Sequence, residues 1–216
     1  MTDAMAATGM PDGDYNLGAM SVKVTKGVAR TEGGSIAGST LLLKDAGHSA
    51  AGYEQARIFL AKGSKIMTHA FNGMAGIHHR APGPVPAALE SDAFTELIAD
   101  GVHVEPAAAR LLNQEKVILV TDAMAATGMP DGDYNLGTLA VKVTEGVART
   151  ESGSIAGSTL LLKDAVRNYA EWTGSPVSAL RAAITNPAAA YGVDVPMLTK
   201  GSKSWLLWNG RLEIQD

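Results

Sequence analysis

The chain has 216 residues, 46% of them hydrophobic, and a formal charge of −4 from 18 basic and 22 acidic side chains. This predicts a globular protein with a sizeable core, and it argues against a nucleic acid or an anionic membrane held through bulk charge. The absence of cysteine excludes disulfide scaffolds and thiolate chemistry. No apolar run approaches the roughly 20 residues of a membrane span and no signal peptide is evident, so we expect a cytoplasmic protein.

A long internal repeat occupies the start of the chain. Residues 2–46 recur at 121–165 with five differences. The differing pairs are Ala19 and Thr138, Met20 and Leu139, Ser21 and Ala140, Lys26 and Glu145, and Gly33 and Ser152. Solenoid repeats are shorter, degenerate and more numerous. We interpret residues 1–46 as a displaced duplicate, from gene duplication, fragment fusion or an assembly error, and expect only one copy to occupy its evolved place.

Between the copies, the pattern predicts a helix followed by a strand and then a second helix. Ser49 is a suitable cap for a helix over 50–61, and 65–68 is typical of a short buried strand. The proline-rich stretch 82–86 argues against regular structure, and 87–100 is expected to be helical.

Further along, Pro106 is placed to begin a helix that continues over 107–113. The run 116–120 predicts a buried strand that ends at Thr121 and Asp122. Two strands about a glycine turn are expected at 139–144 and 147–151.

The remaining elements complete an α/β pattern. A helix over 158–172 is closed by Gly174, and a second over 176–191 must break or kink at Pro187. Asn209 and Gly210 predict a terminal hairpin. Helices that alternate with apolar strands favour βαβ units and a parallel sheet with antiparallel additions.

All five histidines fall between positions 48 and 103. His48, His69, His103 and Asp122 each lie near a predicted strand end or the loop that follows it. In a parallel barrel such ends form one face, where imidazoles and a carboxylate would suit a divalent ion such as zinc. The alternative is that isolated histidines cap loops or fill half-buried positions.

Two loops are candidate anion sites. Residues 72–83 offer an amide side chain, glycine amides, two histidines and Arg80, a donor set that suits a phosphate, although such loops are mostly structural. Residues 152–158 are expected to open a helix whose free amides face a ligand, or equally a capped helix packed closely on a neighbour.

Six segments occur in the order found in one enzyme family. They are "GHSAAGYEQA", "THAFNGM", "HHRAPG", "DGVH", "LVTDAMAATG" and "GSIAGSTLLLKDA". Over about residues 47–216 the chain resembles the N-acetylglucosamine-6-phosphate deacetylases of the amidohydrolase superfamily. The resemblance implies a (β/α)8 barrel with a small β-sandwich from both chain ends. The implied reaction is hydrolysis of the sugar-phosphate acetamide to acetate and glucosamine-6-phosphate.

The resemblance also implies roles for particular residues. His48 and His69 correspond to metal ligands, and Asp122 to the catalytic aspartate that takes a proton from metal-bound water and later gives one to the departing amine. His103 is similar to a substrate-contacting residue. The phosphate site is implied at Asn72, Gly73 and Arg80. In dimeric relatives, the counterparts of Arg80 and His103 serve the neighbouring subunit, so we expect a homodimer that acts on a small sugar phosphate.

The chain departs from the family before His48. The family pattern requires four earlier barrel strands and a glutamate metal ligand there, whereas residues 1–46 are the displaced copy and contain no "EGPF"-like motif. Two histidines alone predict weakened binding of the metal, expected to be zinc. Residues 40–46 offer a surrogate strand into His48, but their twin at 159–165 is expected to be helical, so we disfavour it.

We therefore expect an α/β protein with three parts. These are the displaced duplicate at 1–46, a partial (β/α)8 TIM-type barrel at 47–195, and a β-hairpin of the sandwich at 196–216. The expected activity is metal-dependent deacetylation, impaired by truncation. A non-catalytic sugar-phosphate-binding remnant and a non-functional fragment are the alternatives.

Overall fold

A computed structural model of the chain describes residues 12–17, 20–25, 28–31, 45–46, 51–137, 139–194, 207–208 and 214–215. The chain divides into two compact units, Met1–Glu96 and Leu97–Asp216. None of the helices in these ranges is long and apolar enough to cross a membrane.

The first copy of the repeat forms an antiparallel meander in the first unit. Its strands are β1 (Gly13–Leu17), β2 (Met20–Thr25) and β3 (Val28–Thr31), in the order β1-β2-β3. On β2, Val22 and Val24 are buried while the residues between and beside them are exposed. This alternation is what a strand with one packed face requires.

The rest of the first unit follows a βαβ pattern. It contains β4 (Asp45–Ala46), α1 (Tyr53–Ala61), β5 (Ile66–Met67), α2 (Pro84–Leu89) and β6 (Phe94–Ile98), whose last two residues belong to the second unit. β4 and β5 pair in parallel, as do β5 and β6. The predicted strand at 65–68 is therefore confirmed.

The predicted helix after the first copy is confirmed, with a different start. α1 begins at Tyr53, and the backbone N–H of Gly52 donates to Oε1 of Gln55 at 2.9 Å. Residues 51 and 52 are thus not helical, and residue 50 and Ser49, the predicted cap, lie outside the described residues. A glycine can hold the N-cap position at little cost relative to the preferred polar residues.

Two sequence predictions between 82 and 100 are wrong. Residues 84–86 are helical, because a proline in the first turn gives up an N–H that has no helical partner there. Residues 94–98 form β6 instead of a helix. Pairing with β5 buries Thr95, and Leu97 is also fully enclosed, so tertiary packing overrides the helical propensity of this stretch.

Among its described residues, the second unit contains four strands, four helices, and a two-stranded pair near its end. The elements are α3 (Pro106–Ala109), β7 (Val117–Val120), β8 (Gly132–Leu136), β9 (Leu139–Thr144), β10 (Val147–Thr150), α4 (Leu162–Thr173), α5 (Pro176–Ala183), α6 (Thr185–Tyr191), β11 (Leu207–Trp208) and β12 (Ile214–Gln215). β7 is the predicted buried strand, and helices α4, α5 and α6 pack against it.

The second copy of the repeat repeats the meander of the first. β8, β9 and β10 pair antiparallel, and Gly132 lies opposite Val143 as Gly13 lies opposite Val24. The turn between β9 and β10 has positive φ at both Glu145 and Gly146, as a tight hairpin matched to strand twist requires. The two predicted strands are confirmed, and β8 was missed.

The described positions at which the two copies differ do not lie on the packed face of the meander. Four of the five differing positions are described in the second copy, and all four side chains are exposed: Leu139, Ala140, Glu145 and Ser152. The buried residues Val141, Val143 and Ala148 are identical to their counterparts in the first copy. Both copies can therefore form the same sheet.

The end of the repeat adopts two conformations. Asp45 and Ala46 form strand β4, whereas their twins Asp164 and Ala165 lie in helix α4. The surrogate strand that the sequence disfavoured is thus formed at 45–46, while residues 40–44 lie outside the described residues. β4 can form because β5 provides backbone partners, which the helix does not need.

The helices after the second copy partly match their predicted bounds. α4 ends at Gly174 in the left-handed conformation as predicted, but it begins at Leu162, not at 158. The helix predicted over 176–191 is divided at Ile184. The ring of Pro187 would clash with the carbonyl four residues earlier, at Ala183, and α5 ends there.

Two further predictions need correction in length. The helix predicted from Pro106 through 107–113 extends only to Ala109. β11 and β12 pair antiparallel, as the predicted hairpin requires, but Trp208 lies opposite Ile214, which is not the register of a two-residue turn at 209–210. Asn209 and Gly210 themselves lie outside the described residues.

Gly83, the N-cap of α2, allows a test of the packing before that helix. Its φ is +71°, and an added Cβ would lie 2.7 Å from the carbonyl oxygen of Ala75. We expect Gly83→Ala to lower the free energy of unfolding by about 2 kcal/mol, since both the left-handed backbone and the overlap are costly. Urea unfolding followed by circular dichroism measures this.

The matched control is Gly76→Ala, because an added Cβ there meets nothing within 4 Å. Equal unfolding midpoints for the two variants would contradict the close approach at Gly83.

Candidate functional site

His69 and Asp122 share an unusual backbone conformation. Each lies two residues beyond the end of a buried strand, His69 after β5 and Asp122 after β7. Their φ values are +30° and +49°, in or near the left-handed region that residues other than glycine rarely adopt. Such conformations cost of order 1–3 kcal/mol and concentrate at functional sites. This supports both residues as functional candidates.

The turn after β5 is held by an asparagine side chain. Nδ2 of Asn72 donates to the carbonyl oxygens of Ala70, at 3.2 Å, and His69, at 3.4 Å. The backbone N–H of Asn72 also donates to His69 O at 3.0 Å. His69 is 4% exposed. The structure thus brings two predicted site residues together, with Asn72 bonded to the backbone that carries the buried imidazole.

The loop 72–83 presents exposed polar groups. Gly73 and Arg80 are both exposed, and Nη1 of Arg80 lies 2.6 Å from Nε2 of His79. The rings of His78 and His79 are 4.3 Å apart, and the backbone N–H of Arg80 donates to Nδ1 of His78. The donors expected for a phosphate therefore lie on one exposed loop of the first unit.

In the second unit, a clamp of backbone bonds holds the turn at Asp122. The N–H of Ser158 donates to Asp122 O, and the N–H of Met124 donates to Ser158 O, both at 2.9 Å. Oγ of Ser158 donates to the carbonyl of Thr121. A Cβ at Gly157 would lie 3.3 Å from Asp122 O, so a small residue is needed there.

This clamp corrects one sequence prediction. Residues 152–158 were expected to open a helix, either with free amides that face a ligand or as a capped helix packed closely on a neighbour. They instead form the end of a loop, and Ser158 in this loop forms an isolated parallel β-bridge with Ala123. Helix α4 starts only at Leu162. The amide of Ser158 bonds the Asp122 turn, which is closer to the packing interpretation of the segment.

A buried histidine and aspartate pair lies beyond strand β6. Nδ1 of His103 is 2.6 Å from Oδ2 of Asp100, and the side chains are 8% and 15% exposed. Oδ1 of Asp100 accepts from the N–H groups of Val102 and His103, each at 2.8 Å. Burial alone would raise the pKa of Asp100, but the bonds from the His103 ring and the two backbone amides outweigh it and lower that pKa.

Asp100 was not among the residues selected from the sequence. A signal was present, since Asp100 lies two residues beyond β6, the same spacing that separates Asp122 from β7. It could not be recognised because 94–98 was predicted as part of a helix, and no strand end was expected there.

His103 lines a cavity of about 410 Å³ within the second unit. The turn at Glu145 and Gly146 contributes to its wall, as do residues 157–161. Two carboxylates besides Asp100 lie around it, Glu145 and Asp164, and Asp164 forms an ion pair with Arg167. The cavity therefore combines apolar side chains with three carboxylates that can accept hydrogen bonds from hydroxyl or amine groups.

The metal site that the sequence predicted is not assembled from the described residues. Within the described ranges, no three His, Cys, Asp or Glu residues lie close enough together to hold a metal ion. His48 lies outside those ranges, so His69 is the only predicted histidine ligand that the structure places. The described donors do not amount to a ligand set for zinc or another divalent ion.

Known proteins resemble this chain over most of its length. No protein-family model matches it. It is 49% identical over 153 residues to an N-acetylgalactosamine-6-phosphate deacetylase of Escherichia coli O157:H7, covering 68% of this chain and 41% of the relative. It is 51% identical over 131 residues to a protein of Escherichia coli strain K12 provisionally named for the same activity, covering 58% of this chain and 78% of that relative.

A solved structure gives the same assignment. The N-acetyl-D-glucosamine-6-phosphate deacetylase of Mycobacterium smegmatis, as a variant in complex with N-acetyl-D-glucosamine-6-phosphate, has a TM-score of 0.73 and 37% identity. The match covers 79% of this chain and 48% of that one. The chain is thus an α/β protein related to sugar-phosphate amide hydrolases. It belongs to the N-acetylglucosamine-6-phosphate deacetylase family, and it spans less than half the length of the first relative and of this structure.

The bonds to Asp100 predict how stability depends on pH. Its pKa is lowered from the ordinary value of 3.8, so the stabilisation is fully present above that value and is lost as pH falls through the folded-state pKa. We expect Asp100→Asn to lose less unfolding free energy than wild type on acidification below about pH 4. Urea unfolding at several pH values measures this.

Asp133→Asn removes the same charge at an exposed position of β8 and serves as the control. If wild type and Asp100→Asn lost stability in parallel over this range, the lowered pKa of Asp100 would be contradicted.

Proposed function

We propose that the chain derives from an enzyme that removes the acetyl group of N-acetylglucosamine-6-phosphate or its galacto epimer, and that it keeps the catalytic aspartate while truncation impairs its activity. The observation that carries this is the left-handed backbone of Asp122 at a strand end, inside the "TDAMAATG" segment of a family whose relatives are deacetylases. His69, in the same conformation after β5, supports the proposal.

The proposed architecture is part of a (β/α)8 barrel of the amidohydrolase kind, with β11 and β12 as a piece of the β-sandwich. Parallel pairing of β4, β5 and β6 supports a barrel segment, and the TM-score of 0.73 to a deacetylase supports the family fold. We propose residues 47–195 as this segment and residues 1–46 as a displaced duplicate. A homodimer is the proposed assembly, because a partial parallel sheet leaves strand edges that a second copy can cover.

Asp122 is proposed to act first as a base and then as an acid. Its carboxylate takes a proton from water as the water oxygen bonds to the acetamide carbon. It then returns the proton to the amide nitrogen as the C–N bond breaks, which releases acetate and the amine. Both the base step and the acid step are needed, because an amide is a poor electrophile and its nitrogen is a poor leaving group.

The proposed cofactor is a divalent ion, zinc in the first instance, with His48 and His69 as ligands. The described residues do not form the complete set, so further ligands are to be sought in a partner subunit. Contacts to the substrate are proposed for His103, Asn72, Gly73 and Arg80, with the exposed guanidinium of Arg80 on the phosphate.

Acetate release by Asp122→Asn tests the proposed base. We expect the substitution to lower the rate by about 100-fold or more, because an amide side chain cannot accept the proton. The assay uses the purified chain with added zinc and, separately, with a chelator, and both epimeric substrates.

Asp133→Asn is the matched control and should retain the wild-type rate, since its side chain is exposed on β8. An equal loss in both variants would count against a specific role for Asp122. A folded wild-type chain that binds the substrate but releases no acetate would favour a non-catalytic remnant.

Substrate binding by Arg80→Ala tests the phosphate contact. We expect the dissociation constant for N-acetylglucosamine-6-phosphate to rise about tenfold, since a charge-assisted hydrogen bond is lost. Affinity for unphosphorylated N-acetylglucosamine should not change. Isothermal titration calorimetry measures both.

Arg57→Ala is the control, because Arg57 is an exposed arginine of α1 that pairs with Glu54. Equal affinities of wild type and Arg80→Ala for the phosphorylated sugar would remove Arg80 from the proposed site.

A further inference from the structure

The two carboxylate oxygens of Asp100 accept hydrogen bonds from different donors. Oδ1 accepts both backbone N–H groups, of Val102 and His103, at 2.8 Å. Oδ2 lies 2.6 Å from Nδ1 of the His103 ring. A carboxylate is an acceptor only, so the proton between Oδ2 and the ring belongs to Nδ1.

The hydrogen bond between Asp100 and Nδ1 determines which ring nitrogen of His103 can accept a hydrogen bond from a ligand. With the proton on Nδ1, Nε2 of the neutral imidazole carries a lone pair and acts as a hydrogen-bond acceptor. His103 lines the cavity of about 410 Å³, and its side chain is 8% exposed, so the ring has little freedom to turn. Asp100 therefore sets both the tautomer and the orientation of the His103 ring, and His103 is a residue that lines a ligand-sized space.

The lining indicates which part of a ligand the ring meets. Asp100, Glu145 and Asp164 line the cavity, and although Asp164 is paired with Arg167, the remaining negative charge disfavours a phosphate dianion there. Hydroxyl groups carry no charge and can donate to Nε2. An amino-sugar ring is therefore better suited to this cavity than the phosphate group.

We propose that Asp100 is a positioning residue that holds His103 as the Nδ1–H tautomer, so that Nε2 accepts a hydrogen bond from a sugar hydroxyl in the cavity. The proposal rests on the proposed function for the identity of the sugar. It adds Asp100 to the site and gives His103 a defined role as acceptor.

Asp100→Asn tests this because it should invert the tautomer. Asparagine has one acceptor oxygen, and the two backbone N–H groups of Val102 and His103 occupy that position. The amide NH₂ then faces Nδ1, which must accept, so the ring proton moves to Nε2. The ring keeps its place but presents a donor to the cavity instead of an acceptor.

The first measurement is ¹⁵N NMR of the histidine rings at neutral pH, with the His103 signals assigned by their loss in His103→Gln. We expect the proton on Nδ1 in wild type and on Nε2 in Asp100→Asn. The second measurement is calorimetric binding of glucosamine-6-phosphate, which is not hydrolysed. We expect Asp100→Asn to weaken it about tenfold, the effect of losing one hydrogen bond to a buried partner.

Asp133→Asn controls for the lost charge and should change neither the tautomer nor the affinity. A wild-type ring that carries its proton on Nε2 would overturn the proposal without any variant, even if Asp100→Asn failed to fold. Inversion with unchanged affinity for glucosamine-6-phosphate would also overturn it, as would a folded wild type that does not bind this sugar. Failure of acetate release alone, with inversion and weakened binding observed, would count against the deacetylase reaction and leave this role supported.

Discussion

The second unit depends on two backbone hydrogen bonds, which join Ser158 to Asp122 and to Met124. Through them, one loop fixes the left-handed turn after β7, and the same loop leads from the β8-β9-β10 meander into α4. The residues between Asp122 and Ser158 in the sequence contribute one hydrophobic cluster: Met124, Ala126, Val141, Val143, Ala148 and Ala156. Strain at the proposed catalytic residue is thus balanced by bonds and packing contributed by a segment some 35 residues later in the chain.

The two copies of the repeat show which elements are determined by the local sequence and which by tertiary contacts. Its meander forms in both copies with the same register, because alternation on β2 and β9 and the tight turns are encoded within the segment itself. Its last two residues follow their surroundings, as a strand beside β5 in one copy and as the first turn of α4 in the other. The alternation of buried and exposed residues specifies the meander, whereas the available pairing partners determine the conformation of the last two residues.

The same division explains what the sequence could and could not predict. β7, the Gly174 cap and the break before Pro187 followed from local rules, since each depends on a few adjacent residues. β6 did not, because its stretch has a helical composition and becomes a strand only through pairing with β5. For the site, ordered motifs located His69 and Asp122, whereas Asp100 depends on bonds to Val102 and His103 that no motif displays.

The register of β4 against β5 relates the first copy of the repeat to the two proposed histidine ligands. Ala46 pairs with Met67, and both His48 and His69 stand two positions beyond that pair in the sequence. Because side chains alternate along a strand, a shift of one residue in the pairing of β4 with β5 would turn every side chain of β4 to the opposite face. The proposed join between the duplicate and the "GHS" segment therefore gives the two proposed ligands the same sequence spacing from the pair of Ala46 and Met67.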